Sequence, residues 1–152
     1  MSATNSDADS AGPDPVALDL SDFDAVGIAA DVVDAVRRHA IESGGDVAAT
    51  VSAPEGWHRV VVTGRKSGHT VLSVRYSELT RARRHNVARA LAARDWDTDE
   101  DGEGATHRVP PGTEASAAAF ELLAVVSLGG APTDVRHVTA VDASGAPVPL
   151  TS

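Results

Sequence analysis

The chain's pattern predicts an α+β fold, a sandwich in which helices cover one side of antiparallel strands. Two observations predict it. Apolar residues recur at three- and four-residue steps in the segments 21–43, 80–96 and 113–128, as amphipathic helices require. Between and after them stand short β-rich runs, and in one of these, 69–76, apolar and polar residues alternate as they do in a strand with one buried face.

Taken in order, residues 1–19 are rich in Ser, Asp, Gly and Pro and read as a disordered acidic tail, leaving 20–152 as a single domain. Ser21 is placed to cap the first helix, with Asp24 three residues on. Phe23, Val26, Ala30, Val33, Val36 and Ala40 form its apolar stripe, and Gly44-Gly45 ends it. Val47–Ser52 is a short, weak strand. Pro54-Glu55-Gly56 is a turn, and Trp57–Thr63 is a second strand. Gly64–Gly68 turns the chain into His69–Tyr76, where Leu72, Val74 and Tyr76 share the buried face.

Ser77 or Thr80 caps a second helix reaching Trp96, with Leu79, Ala82, Val87, Ala90 and Leu91 turned inward. Arg81, Arg84, His85 and Arg89 fall on its other face. A short strand at Ala105–Val109 lies within the acidic, glycine-rich segment 97–113. Thr113 then caps a third helix through Leu128, apolar nearly all round, with Phe120, Leu122, Leu123, Val125 and Val126. Such a helix is either central or packed against a second molecule. Val135–Val141 is a last strand, followed by a turn at Ala143-Ser144-Gly145.

Composition narrows the function classes. The chain has 152 residues, 42% hydrophobic and 23% charged, as expected of one soluble domain with a real core. Aromatics are only 3%, so Ala, Val and Leu do most of the packing. The absence of cysteine excludes disulfides, thiolate metal sites and thiol catalysis. The apolar run 117–126 is interrupted by Glu121 and is shorter than the ~20 residues of a membrane span. With neither a span nor a secretory leader, the expected address is cytoplasmic.

Three motifs invite chemistry. Asp97-Thr98-Asp99-Glu100-Asp101-Gly102 opens like a calcium loop, but Arg108 stands where the closing bidentate Glu belongs and no helix begins there. Gly64-Arg65-Lys66-Ser67-Gly68 has the Lys-Ser pair of a phosphate loop without its leading glycine spacing, and it joins two strands; it is a hairpin turn. The histidines 39, 58, 69, 85, 107 and 137 form no His-x-x-x-His pair. Nothing here makes a catalytic constellation, so the expectation is a protein that is not an enzyme and holds no metal or cofactor.

The charge map is more informative. Between Trp57 and Arg94 stand nine Lys/Arg and one acid, Glu78, in a chain whose net charge is −9. Residues 1–34 hold eight Asp and no base, and 95–103 packs six acids into nine positions. Opposite blocks on one scaffold steer partners. The expected role is protein or peptide binding, or self-association as a homodimer, through Arg81, Arg84, Arg89, Phe120 and Leu123. The alternative is a small regulatory nucleic-acid binder using the arginine-rich helix 80–96. An acidic pI of about 4.9 and few nearby aromatics count against it.

The stretch Arg84–Trp96, RHNVARALAARDW, ends a helix on Trp, runs into the acidic segment and is followed by ATHRVP and the apolar helix. With the preceding WHRVVVTGRKSGHTVLSVRYSE, it resembles the TY-Chap family, bacterial domains similar to type III secretion chaperones. The resemblance covers about residues 21–130 and is carried by element order and by Asn86, Leu91 and Trp96. It implies an α+β fold with a curved antiparallel sheet and helices packed on one face, a secretion-chaperone-like sandwich that dimerises or binds peptides of other proteins, and it transfers no catalytic position.

Overall fold

The computed structural model describes residues 15–53, 59–76, 79–100, 103–110, 112–128 and 135–150. Strand β1 (Val16–Asp19) precedes helix α1 (Ala25–Ser43), followed by β2 (Val47–Ser52), β3 (Arg59–Gly64) and β4 (Thr70–Arg75). Helix α2 (Arg81–Ala92), β5 (Asp97–Thr98) and β6 (Gly104–Val109) come next. Helix α3 (Ala115–Ser127), β7 (Val135–Asp142) and β8 (Pro147–Val148) complete the order.

Among the described residues, eight strands make one open antiparallel sheet in the order β1-β7-β2-β3-β4-β6-β5, and β8 also pairs with β7. The last long strand therefore lies inside the sheet. One edge of β7 is paired along β2, and the other is divided between β1 and β8. The fold is the α+β class that the alternation and helical periodicity predict.

Alternation sorts the sheet into two faces. Val47, Ala49 and Val51 of β2, Val60 and Val62 of β3, Leu72 and Val74 of β4 and Val138 of β7 are all at most 2% exposed. Helix α1 lies over β1, β2 and β3, and α3 packs on α1 and β3. Their contribution is mostly Ala and Val: Ala29, Val32, Val33, Val36 and Ala40 from α1, and Ala118, Ala119, Leu122, Val125 and Val126 from α3. Small side chains let the layers approach closely. A Cβ on Gly64 would stand 2.8 Å from the backbone oxygen of Val36, so glycine is required where α1 crosses β3.

The ends of the elements differ from the sequence expectations in several places. The chain is already in the sheet at Val16, inside the segment read as a tail through residue 19, because Leu18 is fully buried against the core. The three residues between Pro15 and the acids of 19–24 are too short a run to reveal alternation. Residues 1–14 lie outside the described residues. Ser21 does not cap α1. Its hydroxyl donates to Asp19 Oδ1 at 2.6 Å, and the helix starts at Ala25 after Asp24. That shift leaves Phe23 outside the helix and 94% exposed; Val33, Val36 and Ala40 of the expected stripe are buried, while Val26 and Ala30 are half-buried and Ala25, Ala29, Val32 and Ala35 complete the buried face.

Gly44 ends α1 as expected, in the left-handed region at φ 69°, with its N–H donating to Ala40 O. Val47–Ser52 is not marginal; it is a central strand between β3 and β7. Thr80 caps α2, accepting from the Arg83 N–H at 3.3 Å. The helix ends at Ala92, four residues before Trp96, because Asp95 adopts φ 67° and turns the chain. Thr113 does not cap α3, which starts after Glu114. Thr113 instead donates to Pro110 O, while its own carbonyl accepts from Arg37 NH1 at 2.8 Å. Ala82 faces solvent, so only Val87 and Leu91 of α2 are buried. The turn at 54–56, the start of the second expected strand at Trp57 and the alternative cap Ser77 lie outside the described residues.

Candidate functional site

Three surfaces compete for a functional role: the outer side of α2, the outer side of α3, and the face of the sheet turned away from the helices. On α2, Arg81 and Arg89 are exposed, and Arg84 reaches the acidic segment, its NH1 3.6 Å from Glu103 Oε1. On α3, Phe120 is 61% exposed, whereas Leu123 is half-buried against the core. These five residues, expected to act together, are divided between two places. Helix α2 sits beside β5 and β6, and α3 sits on α1.

The junction between α2 and α3 contains a residue that the sequence offered only as an interruption of an apolar run. Glu121 accepts two bonds from Arg94, at 2.8 and 3.0 Å, and one from the Trp96 indole N–H at 2.8 Å. His107 of β6 stacks on Trp96, with ring centroids 5.4 Å apart. The Arg94 hydrogen bonds hold the Glu121 carboxyl below its ordinary range, against partial burial, and the Trp96 bond and the nearby His107 act in the same direction. This is a structural clasp: Trp96 is 4% exposed and all four side chains hold one another.

The face of the sheet opposite the helices is built from the other half of each strand. Register places Thr139, Thr50, Val61, Ser73 and Thr106 in one row across β7, β2, β3, β4 and β6. The neighbouring row is Val141, Ala48, Thr63, Val71 and Arg108. Nine of these ten side chains are uncharged and short, and no described helix lies over them. The solvated face of an antiparallel sheet is polar, and this strip takes its polarity from Ser and Thr in place of charged side chains.

Charge returns at the rim. Arg59 stands directly opposite Arg75 on adjacent strands, a pairing that repels unless neutralised. Arg75 is neutralised: its guanidinium is 3.2 Å from Asp99 Oδ2 and 3.4 Å from Glu103 Oε2. It also crosses Gly104, where an added Cβ would stand 3.0 Å from Arg75 Cδ and 2.7 Å from Asp99 Oδ2. Among the described residues Arg59 and Arg108 form no ion pair. The acidic segment thus folds onto part of the basic block, while Arg59 of that block and Arg108 of β6 stand at the border of this face.

At the hairpin end of the same face, Arg65, Ser67, His69, Val71 and Arg108 line a cleft of about 250 Å³. The Gly64–Gly68 segment is the hairpin turn that its composition predicts, closed by Arg65 N–H to His69 O at 2.8 Å.

The calcium-like segment is divided. Asp97 and Thr98 pair with β6, Asp99 is turned to Arg75, and Asp101 and Gly102 lie outside the described residues. Among the described residues no three His, Asp or Glu side chains gather around one point, and no helix is long and apolar enough to cross a membrane. No family model matches the chain, and neither a curated protein nor a solved structure does. The likeness to TY-Chap domains therefore rests on the quoted residues and the element order alone.

Proposed function

We propose that this chain is a non-catalytic binding module that receives an acidic polypeptide on the open face of its sheet. The observation that carries this reading is the uncharged strip Thr50–Val61–Ser73 with two arginines at its rim, Arg59 and Arg108, that form no ion pair among the described residues. Protein interfaces have that anatomy, a centre depleted of charge and a polar border. Short hydroxyl and aliphatic side chains lose little rotamer entropy when covered, and the hydroxyls can hydrogen-bond to a docked chain, which offsets their lost hydration. The arginines favour an acidic partner and set its orientation.

The edges of the sheet favour the same location. They are β5, with two residues, and β1 and β8, with four and two. Edges this short give a partner strand little backbone to pair with, so docking is across the face. Five strands span about 19 Å, room for about six residues of extended chain. A contact of that size belongs to the weak, transient class. Display of random peptides against the full chain, with counter-selection on a Val61→Lys variant, tests this. Acidic sequences that bind the wild type and not the variant are expected, and enrichment of sequences indifferent to Val61→Lys would contradict it.

Self-association is a second reading, favoured by Phe120. The outer side of α3 presents Ser116, Ala117, Phe120 and Ser127 without a charge. On a chain of net charge −9, most contacts between copies are repulsive, and a neutral helix face is where two copies could meet. Light scattering of the wild type and Phe120→Ser distinguishes this reading from docking on the sheet. Nucleic-acid binding through α2 is less well supported. Arg84 is engaged by Glu103, and among the described residues no exposed Phe, Tyr or Trp lies on α2 or on the open face to stack a base.

A further inference from the structure

The hairpin end of the open face has a geometry of its own. Alternation brings Arg65, His69, Val71 and Arg108 to one side of the sheet. Val71 is in register with Arg108 on the adjacent strand. The turn is held by Arg65 N–H to His69 O at 2.8 Å and Gly68 N–H to Arg65 O at 2.9 Å, with Gly68 at φ 94°. Apolar Val71, the two arginines, Ser67 and His69 line one cleft there.

From this arrangement we infer that the cleft lined by Arg65, Ser67, His69 and Arg108 binds an oxyanion, the carboxylate or phosphoryl group of an acidic ligand. The inference deepens the docking proposal and rests on it for the source of the anion. Three features carry it. First, Arg108 forms no ion pair among the described residues, and the face around it carries the neutral side chains of Thr63, Val71 and Thr106.

Second, the acid nearest to Arg65 is loosely held. Asp46 Oδ2 stands 3.5 Å from Arg65 NH1, with both side chains about half exposed. Its other oxygen, Oδ1, accepts from the Lys66 backbone N–H at 3.0 Å, so Asp46 fastens the turn more than it neutralises the arginine.

Third, Ser67 Oγ lies 3.0 Å from His69 Nδ1. In either neutral tautomer that pair leaves one donor for a ligand: His69 Nε2–H when Ser67 donates, or the Ser67 hydroxyl hydrogen when Nδ1–H donates. Two guanidinium forks and one further donor match the lone pairs of a carboxylate or phosphate. The volume suits one such group and not a drug-sized molecule. The cleft opens beside the uncharged strip, so an acidic residue in a peptide on that strip would fall within it.

The test is an amide NMR titration of the full chain at constant ionic strength, chloride being replaced by inorganic phosphate in one arm and by acetate in the other. Saturable shifts at Ser67, Gly68, His69 and Arg108 are expected. Arg108→Gln should weaken them about fivefold, the loss of one charge-assisted contact in an exposed cleft, while Arg89→Gln leaves them unchanged. A response to phosphate alone assigns a phosphoryl source, and an equal response to acetate assigns a carboxylate. Absence of saturation, or identical titrations of the wild type and Arg108→Gln, would overturn the inference. Titration with an acidic peptide selected on the wild-type face separates the two proposals. If that peptide binds while the small anions do not, the cleft assignment fails and docking stands. If the small anions bind and no peptide does, docking fails and the cleft stands.

Discussion

Glu121 accepts the indole N–H of Trp96 at 2.8 Å, and this bond, reinforced by Arg94, fastens α3 to the turn that follows α2. Its placement gives a stability prediction. Glu121→Ala leaves a nearly buried indole N–H without its acceptor and should cost about 1–3 kcal/mol in urea unfolding. Arg94→Ala, at an arginine side chain 42% exposed, should cost no more than about 1 kcal/mol.

The same clasp has a pH signature. The Glu121 carboxyl is held below its ordinary range in the folded chain, mainly by Arg94, so its stabilisation is complete above the unfolded glutamate pKa of about 4.3. It is lost as pH falls through the lower, folded value. The stability gap between wild type and Glu121→Gln should therefore be constant near neutrality and narrow in acid. A gap that widened in acid would contradict the assignment.

Gly64 is the point of closest approach between α1 and β3. Gly64→Ala brings a methyl to 2.8 Å from both Cγ1 and the backbone oxygen of Val36. Because the helix backbone cannot yield as a side chain would, the expected loss is about 1–3 kcal/mol, measured as a lowered urea midpoint. Gly68→Ala in the hairpin turn has open space but a φ of 94°, so it tests strain without a clash.

The open face should tolerate what the core does not. Val61→Lys is half exposed on the solvent side of β3 and should change stability by less than about 0.5 kcal/mol while abolishing peptide binding. Arg59→Gln combined with Arg108→Gln should reduce affinity for acidic peptides and weaken its salt dependence. If these changes left binding intact, the sheet face would not be the docking surface.

Much of this fold was legible because strand alternation and helical periodicity are local signals. Leu72, Val74 and Tyr76 alternate as their burial requires, and Gly44 marks its helix end by a φ that glycine accommodates readily. What escaped depends on partners distant in sequence. Val16–Asp19 is a strand only because β7 pairs with it, and Val47–Ser52 is central only because β3 and β7 flank it. The candidate site was legible in its charges and not in its location. The excess of arginine between 57 and 94 pointed to α2, yet Asp99 and Glu103 fold back onto Arg75 and Arg84, and besides the exposed Arg81 and Arg89 of α2, Arg59 and Arg108 on the sheet form no ion pair among the described residues. The run of Ser, Thr, Ala and Val across five strands has no sequence signature, since its members are neighbours only through the register.

The account depends most on where an acidic peptide binds, and amide NMR mapping on the full chain measures that directly. Perturbations confined to Thr50, Val61, Ser73 and Thr106, with Arg59 and Arg108 at their border, are the predicted result. Perturbations centred on Phe120 of α3 or on Arg81 and Arg89 of α2, with the sheet rows unmoved, would contradict it.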